Sequence, residues 1–136
     1  MAKIVLIDDN HGPMDLYVQA LRKSGFEVEH LDTVASALAH IESAQRPADL
    51  YILDIMMPPG DALDLRESSF GLTSGLIIYE RLLGKFPGVP VIVLTNISAP
   101  GILERLPLED RGTTREAKID VLPFDLADMV KKRLGL

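Results

Sequence analysis

Lys3-Ile4-Val5-Leu6-Ile7-Asp8-Asp9-Asn10 opens the chain with a β-branched apolar run that ends abruptly on acids. Such a run reads as a strand covered on both faces, because a strand with one wet face alternates polar and apolar side chains. Leu50-Tyr51-Ile52-Leu53-Asp54-Ile55 and Val89-Pro90-Val91-Ile92-Val93-Leu94 repeat the theme, and 26–30 alternates as a shorter strand. Between these runs the period changes. Met14, Tyr17, Val18 and Leu21 recur at helical spacing within 13–23, and Gly25 stops that helix. Val34, Leu38 and Ile41 share one face of a helix over 34–43, with Thr33 or Asp32 as its cap. Helices are also expected over 76–83, capped by Ser74 or Thr73, and over 126–134, opened by Pro123 and Asp125. The least legible stretch lies between Asn96 and Leu122. There, 102–106 has a helical pattern, Pro107 interrupts it, and 119–122 offers a fifth strand.

Strands alternating with helices imply a parallel sheet with helices on both faces, an α/β doubly wound fold. The 136 residues suit one domain, 1–136, and 47% hydrophobic residues supply its core. With no cysteine, disulfides, thiol catalysis and cysteine-ligated metal are excluded. No apolar run approaches the roughly 20 residues that cross a bilayer, and the opening does not resemble a secretory signal. A cytoplasmic protein without a membrane role is therefore expected. A net charge of -6 argues against nucleic acid as a direct partner, since phosphates repel an acidic surface.

In a doubly wound sheet, ligands sit beyond the carboxyl ends of the strands where the strand order reverses. With five strands in the order 2-1-3-4-5, the first and third meet there. They carry Asp8 and Asp9 after one strand and Asp54 at the end of the other. Carboxylates so close repel one another and call for a positive partner. A hard divalent cation with oxygen ligands suits them, and Mg2+ favours a few carboxylates together with water and phosphate. Any one of these acids alone reads more readily as a helix cap or a strand end; together they point to a site.

Asp8-Asp9-Asn10 after the first strand, Asp54-Ile55-Met56-Met57-Pro58, and Val89-Pro90-Val91-Ile92-Val93-Leu94-Thr95 resemble the response-regulator receivers of two-component signalling. The resemblance implies a CheY-like, flavodoxin-like fold with the five-stranded order 2-1-3-4-5. It implies that Asp54 accepts a phosphoryl group from a sensor histidine kinase or a phosphotransfer protein. It also implies that Asp8, Asp9, Asp54 and the backbone carbonyl of Met56 hold Mg2+. Thr95 would bond a phosphoryl oxygen, and the resulting shift would alter the surface that a downstream protein reads. Only self-phosphorylation and autodephosphorylation are expected, not turnover of a separate substrate. Dimerisation is common in the family, so a homodimer is possible, although nothing in the residues selects it.

The chain departs from the family in several places. The family's lysine, usually followed by proline, is not present as Lys-Pro. Either Leu122-Pro123-Phe124 takes that place and the lysine is lost, or Lys118 is the lysine with Ile119 after it. The separation from Thr95 favours Lys118, whereas strand character favours 119–122, because Arg115-Glu116-Ala117 makes a poor buried strand; Lys118 is the preferred candidate. Asn96 replaces a small residue, and 59–74 lacks periodicity and is expected as an inserted loop, a partner-recognition element or a lid.

Two readings compete with a phosphorylation switch. A phosphorylation-independent pseudo-receiver would keep the fold as an interaction module, and the altered end around 118–124 feeds that view. A phosphohydrolase would want an acid two positions after its nucleophile, where Met56 stands. Dinucleotide binding lacks a Gly-x-Gly-x-x-Gly after the first strand. His11, His30 and His40 show no metal-ligand spacing and are read as surface residues.

Overall fold

The computed structural model describes residues 1–55, 57, 74–95 and 112–136. In chain order, its elements are β1 (Lys3–Ile7), α1 (His11–Lys23), β2 (Glu27–Leu31), α2 (Val34–Ser43) and β3 (Leu50–Leu53), then α3 (Ser74–Lys85), β4 (Val91–Thr95), β5 (Thr113–Ala117) and α4 (Pro123–Arg133). The strands form one parallel sheet in the order β2-β1-β3-β4-β5. The doubly wound fold read from the sequence is the fold observed.

Strand periodicity explains how the sheet is covered, since successive side chains point to opposite faces. Val5, Ile7, Tyr51, Leu53, Val91 and Val93 enter one core with α2 and α3. Their neighbours Ile4, Leu6, Leu50, Ile52, Ile92 and Leu94 enter a second core with α1 and α4. Both faces are dry over β1, β3 and β4, which is why these three strands are almost continuously apolar. Local chemistry then sets the helix ends. Thr33 Oγ1 accepts from the Ser36 N–H at 3.0 Å and caps α2. Pro123 opens α4, where its missing N–H costs nothing, and Asp125 Oδ2 accepts from the Leu122 N–H at 3.0 Å.

The fifth strand corrects the sequence reading. It is Thr113–Ala117, with Thr95 opposite Ala117 in register, whereas Lys118–Asp120 forms a short 3-10 turn. An edge strand bonds a neighbour on one side only and needs no continuous apolar run. Arg115 and Glu116 are therefore tolerated, and the buried Thr113 hydroxyl meets Tyr79 Oη at 2.6 Å. Ile119 and Leu122, the apolar pair that suggested a strand, are 83% and 65% exposed. The expectations for Met56, Asn96, the helical pattern at 102–106, and the inserted loop up to 73 fall outside the described residues.

One contact ties α3 to the end of β3. The Gly75 N–H donates to the Ile55 carbonyl at 2.8 Å. A Cβ on Gly75 would stand 2.1 Å from the Asp54 carbonyl oxygen and 2.5 Å from Ile55 Cα. Only glycine permits that approach, and both atoms met are backbone, which cannot rotate aside. Gly75→Ala is expected to lower unfolding stability by about 3 kcal/mol, as overpacking does, measured by urea denaturation.

A polar network lies under α2. His40 Nε2 is 2.8 Å from Tyr51 Oη, and that oxygen accepts from the Ala48 N–H at 3.1 Å. Burial lowers the His40 pKa and raises that of Tyr51. The unfolded chain, whose histidines titrate near ~6.5, thus takes up a proton at His40 more readily than the folded one. The stability from neutral His40 is complete above that pH and is lost as pH falls toward the lowered folded value. Denaturation midpoints followed from pH 7.5 down to 5 should fall less steeply in His40→Gln.

Candidate functional site

The sheet order brings four strand ends together. β1 lies between β2 and β3, so the Asp8 N–H donates to the Leu31 carbonyl at 3.2 Å, and the Asp54 N–H to the Ile7 carbonyl at 2.9 Å. Asp8 and Asp54 thereby emerge side by side. Both are buried, at 1% and 6% exposure, whereas Asp9 is exposed. Asp8 Oδ1 accepts from the Asn10 N–H at 2.9 Å, which turns the chain into α1. One carboxylate oxygen from each of Asp8, Asp9 and Asp54 lies within 4.8 Å of the others.

Lys118 supplies the positive partner. Its Nζ donates to Asp8 Oδ2 at 2.7 Å and to Asp54 Oδ2 at 3.3 Å, with 16% of its side chain exposed. Burial by itself would lower the lysine pKa, but the hydrogen bond to Asp8 and the charges of Asp54 and Asp8 outweigh it and raise the value. Of the two sequence alignments, the structure brings Lys118 to the acids and leaves Leu122 and Phe124 exposed on the outside. Lys118 arrives there because β5 ends at Ala117, opposite Thr95. Thr95 is 2% exposed at the end of β4. Met56, whose carbonyl was expected as a ligand, lies outside the described residues.

Three carboxylates and a lysine at the carboxyl ends of β1, β3 and β5 match the arrangement that the motifs implied. A family model described as response regulator receiver domain matches residues 4–106. The chain belongs to that family. This receiver is 26% identical to the response regulator receiver protein CpdR of Brucella abortus, covering 97% of the chain and 93% of the relative. It is also 27% identical to the probable transcriptional regulatory protein TcrX of Mycobacterium tuberculosis, spanning 98% of the chain but only 48% of that protein. Among solved structures, a CheY-like receiver from Methanospirillum hungatei superposes with a TM-score of 0.76 over 99% of this chain and 94% of the other, at 24% identity. The receiver's function is two-component signal transduction.

Sequence reasoning missed two features of the receiver. The first is Gly75, which fell between the helix expected over 76–83 and its cap and offered no sign of the contact with Asp54. The second is a meeting of histidines that their spacing in the chain did not show. His11 and His30 approach with ring centroids 5.2 Å apart, and ligand atoms of His11, Asp15 and His30 lie within 4.8 Å of one another. His11 Nε2 pairs with Asp32, and this hydrogen bond holds the Asp32 carboxyl below its usual value. The available signal was the i, i+4 spacing of His11 and Asp15 on α1; His30, from another element, carried none.

Lys118→Met leaves two buried carboxylates without their internal cation. Unfolding stability in EDTA should fall by roughly 3 kcal/mol, the scale of a broken buried pair. Added Mg2+ should recover more of the loss in this variant than it adds to the unsubstituted chain, read as a shift in thermal midpoint.

Proposed function

We propose that Asp54 is the phosphoryl acceptor of this receiver and that a sensor histidine kinase or a phosphotransfer protein is the donor. The observation that carries the proposal is Lys118 Nζ bridging Asp8 and Asp54. A carboxylate oxygen of Asp54 attacks phosphorus while the P–N bond of the donor's phosphohistidine breaks, and the imidazole leaves with the electron pair. The product is an acyl phosphate on Asp54, next to a lysine already aimed at that carboxylate.

Lys118 makes its longer contact with Asp54 and its shorter one with Asp8. Exchanging the Asp54 oxygen for a phosphoryl oxygen keeps an anion beside the ammonium, so the lysine stays paired through the transfer. The Thr95 hydroxyl, at the end of the neighbouring strand, would donate to another phosphoryl oxygen. Asp8, Asp9 and Asp54 present only oxygen donors, a set that fits Mg2+, with the Met56 carbonyl as a further ligand. Mg2+ bound there would offset charge on the transferring group.

Output then passes through protein contacts. The exposed side chains of Ile119, Leu122 and Phe124 follow Lys118 closely in the chain, so a displacement of Lys118 or Thr95 would be felt at an apolar surface. Among the described residues no helix is long and apolar enough to cross a membrane, which is compatible with a cytoplasmic location. The complete set of acids with a paired lysine weighs against the phosphorylation-independent module, which has no use for buried charge.

Incubation with Mg2+ and acetyl phosphate, followed by intact mass measurement, tests the assignment. The chain should gain one phosphoryl group, and neither Asp54→Asn nor the unsubstituted chain in EDTA should gain any. Absence of the gain in a folded, Mg2+-binding chain would overturn it.

A further inference from the structure

The start of α1 and the end of β2 assemble a second set of ligand-bearing side chains that phosphoryl transfer leaves unused. His11 opens α1 and Asp15 follows one turn later on the same face. His30 comes from β2, and it brings an imidazole to the other two. Ligand atoms of the three lie within 4.8 Å of one another. Among the described residues this is the one such group that contains nitrogen donors.

The donor set differs in kind from its neighbour. Asp8, Asp9 and Asp54 offer oxygen alone and suit a hard ion. Two imidazoles with one carboxylate suit Zn2+ or another late first-row ion, which binds neutral nitrogen far better than Mg2+ does. The outer contacts point the same way. His30 Nε2 is 2.7 Å from the Asp8 carbonyl oxygen, which can only accept, so Nε2 is the donor and Nδ1 is the nitrogen left for a metal. His11 Nε2 faces the Asp32 carboxylate and is oriented likewise. Metal-bound histidines generally donate their other N–H to a carbonyl or carboxylate, an arrangement that fixes the tautomer and strengthens the ligand. Both rings have that support.

We infer that His11, Asp15 and His30 form a transition-metal site, selective for Zn2+ over Mg2+, beside the acid pocket. Water would complete the coordination of an ion held by three protein ligands. The hydrogen bond from His30 to the Asp8 carbonyl joins the two sites. The inference does not depend on Asp54 being phosphorylated.

The test is calorimetric titration of the untagged chain with Zn2+ in excess Mg2+, with imidazole nitrogens followed by 15N NMR. One Zn2+ per chain should bind, and the ring nitrogens of His11 and His30 should shift. His11→Ala and Asp15→Ala remove exposed side chains and should each weaken binding by about tenfold or more. The double variant Asp9→Asn, Asp54→Asn should bind Zn2+ as the unsubstituted chain does. Three results would overturn the inference: no Zn2+ uptake, leaving only a His11–Asp32 ion pair; uptake unaffected by His11→Ala and Asp15→Ala; or uptake lost in the acid-pocket double variant. Because the NMR measurement uses the unsubstituted chain, a folding defect in a variant cannot mask the answer.

Discussion

Two carboxylates buried side by side cannot both remain ionised without a cation, and Lys118 provides one from the turn that follows β5. The arrangement is costly for every partner. Asp8 and Asp54 give up most of their water, and Lys118 is taken largely out of solvent. The attraction of the lysine to each acid opposes that cost, and the lysine pKa is raised in spite of burial. A site held this way is poised, because any new cation or anion entering it must renegotiate the same charges.

The rest of the structure places those charges. β1 occupies a central position, bonded on one side to β2 and on the other to β3, so the chain leaving β1 carries Asp8 past both. The apolar strands divide their side chains between two dry cores, which pins the register at every step. Gly75 adds a further restraint by letting α3 lie directly against the backbone that carries Asp54. A helix set back by one methyl group would loosen the end of β3, which carries Asp54.

The acid pocket and the histidine cluster share an edge, yet they offer different donor atoms. The pocket presents carboxylate oxygens alone, and the cluster two imidazoles with one carboxylate. The Asp8 residue serves both, through its carboxylate on one side and its carbonyl on the other. A single peptide unit therefore lies between the lysine that balances the acids and the histidine that lines the second cluster.

The four apolar or alternating strands, most helix positions and the acids at the strand ends could be read from the sequence. These depend on local period and on burial of both sheet faces, and both leave a mark in the order of residues. Helix ends differed from the expected positions by up to about three residues, because caps and the first turn depend on contacts as much as on pattern. Tertiary structure decided the fifth strand, since a polar run such as Thr113–Ala117 becomes a strand only because β4 offers it an open edge. With that strand came the placing of Lys118, which the separation from Thr95 favours but which the missing Lys-Pro motif and the apolar run 119–122 leave in competition. The meeting of His11 with His30 was decided in the same way. Residues on different elements become neighbours through packing of the whole sheet, and no local period in the chain encodes that distance.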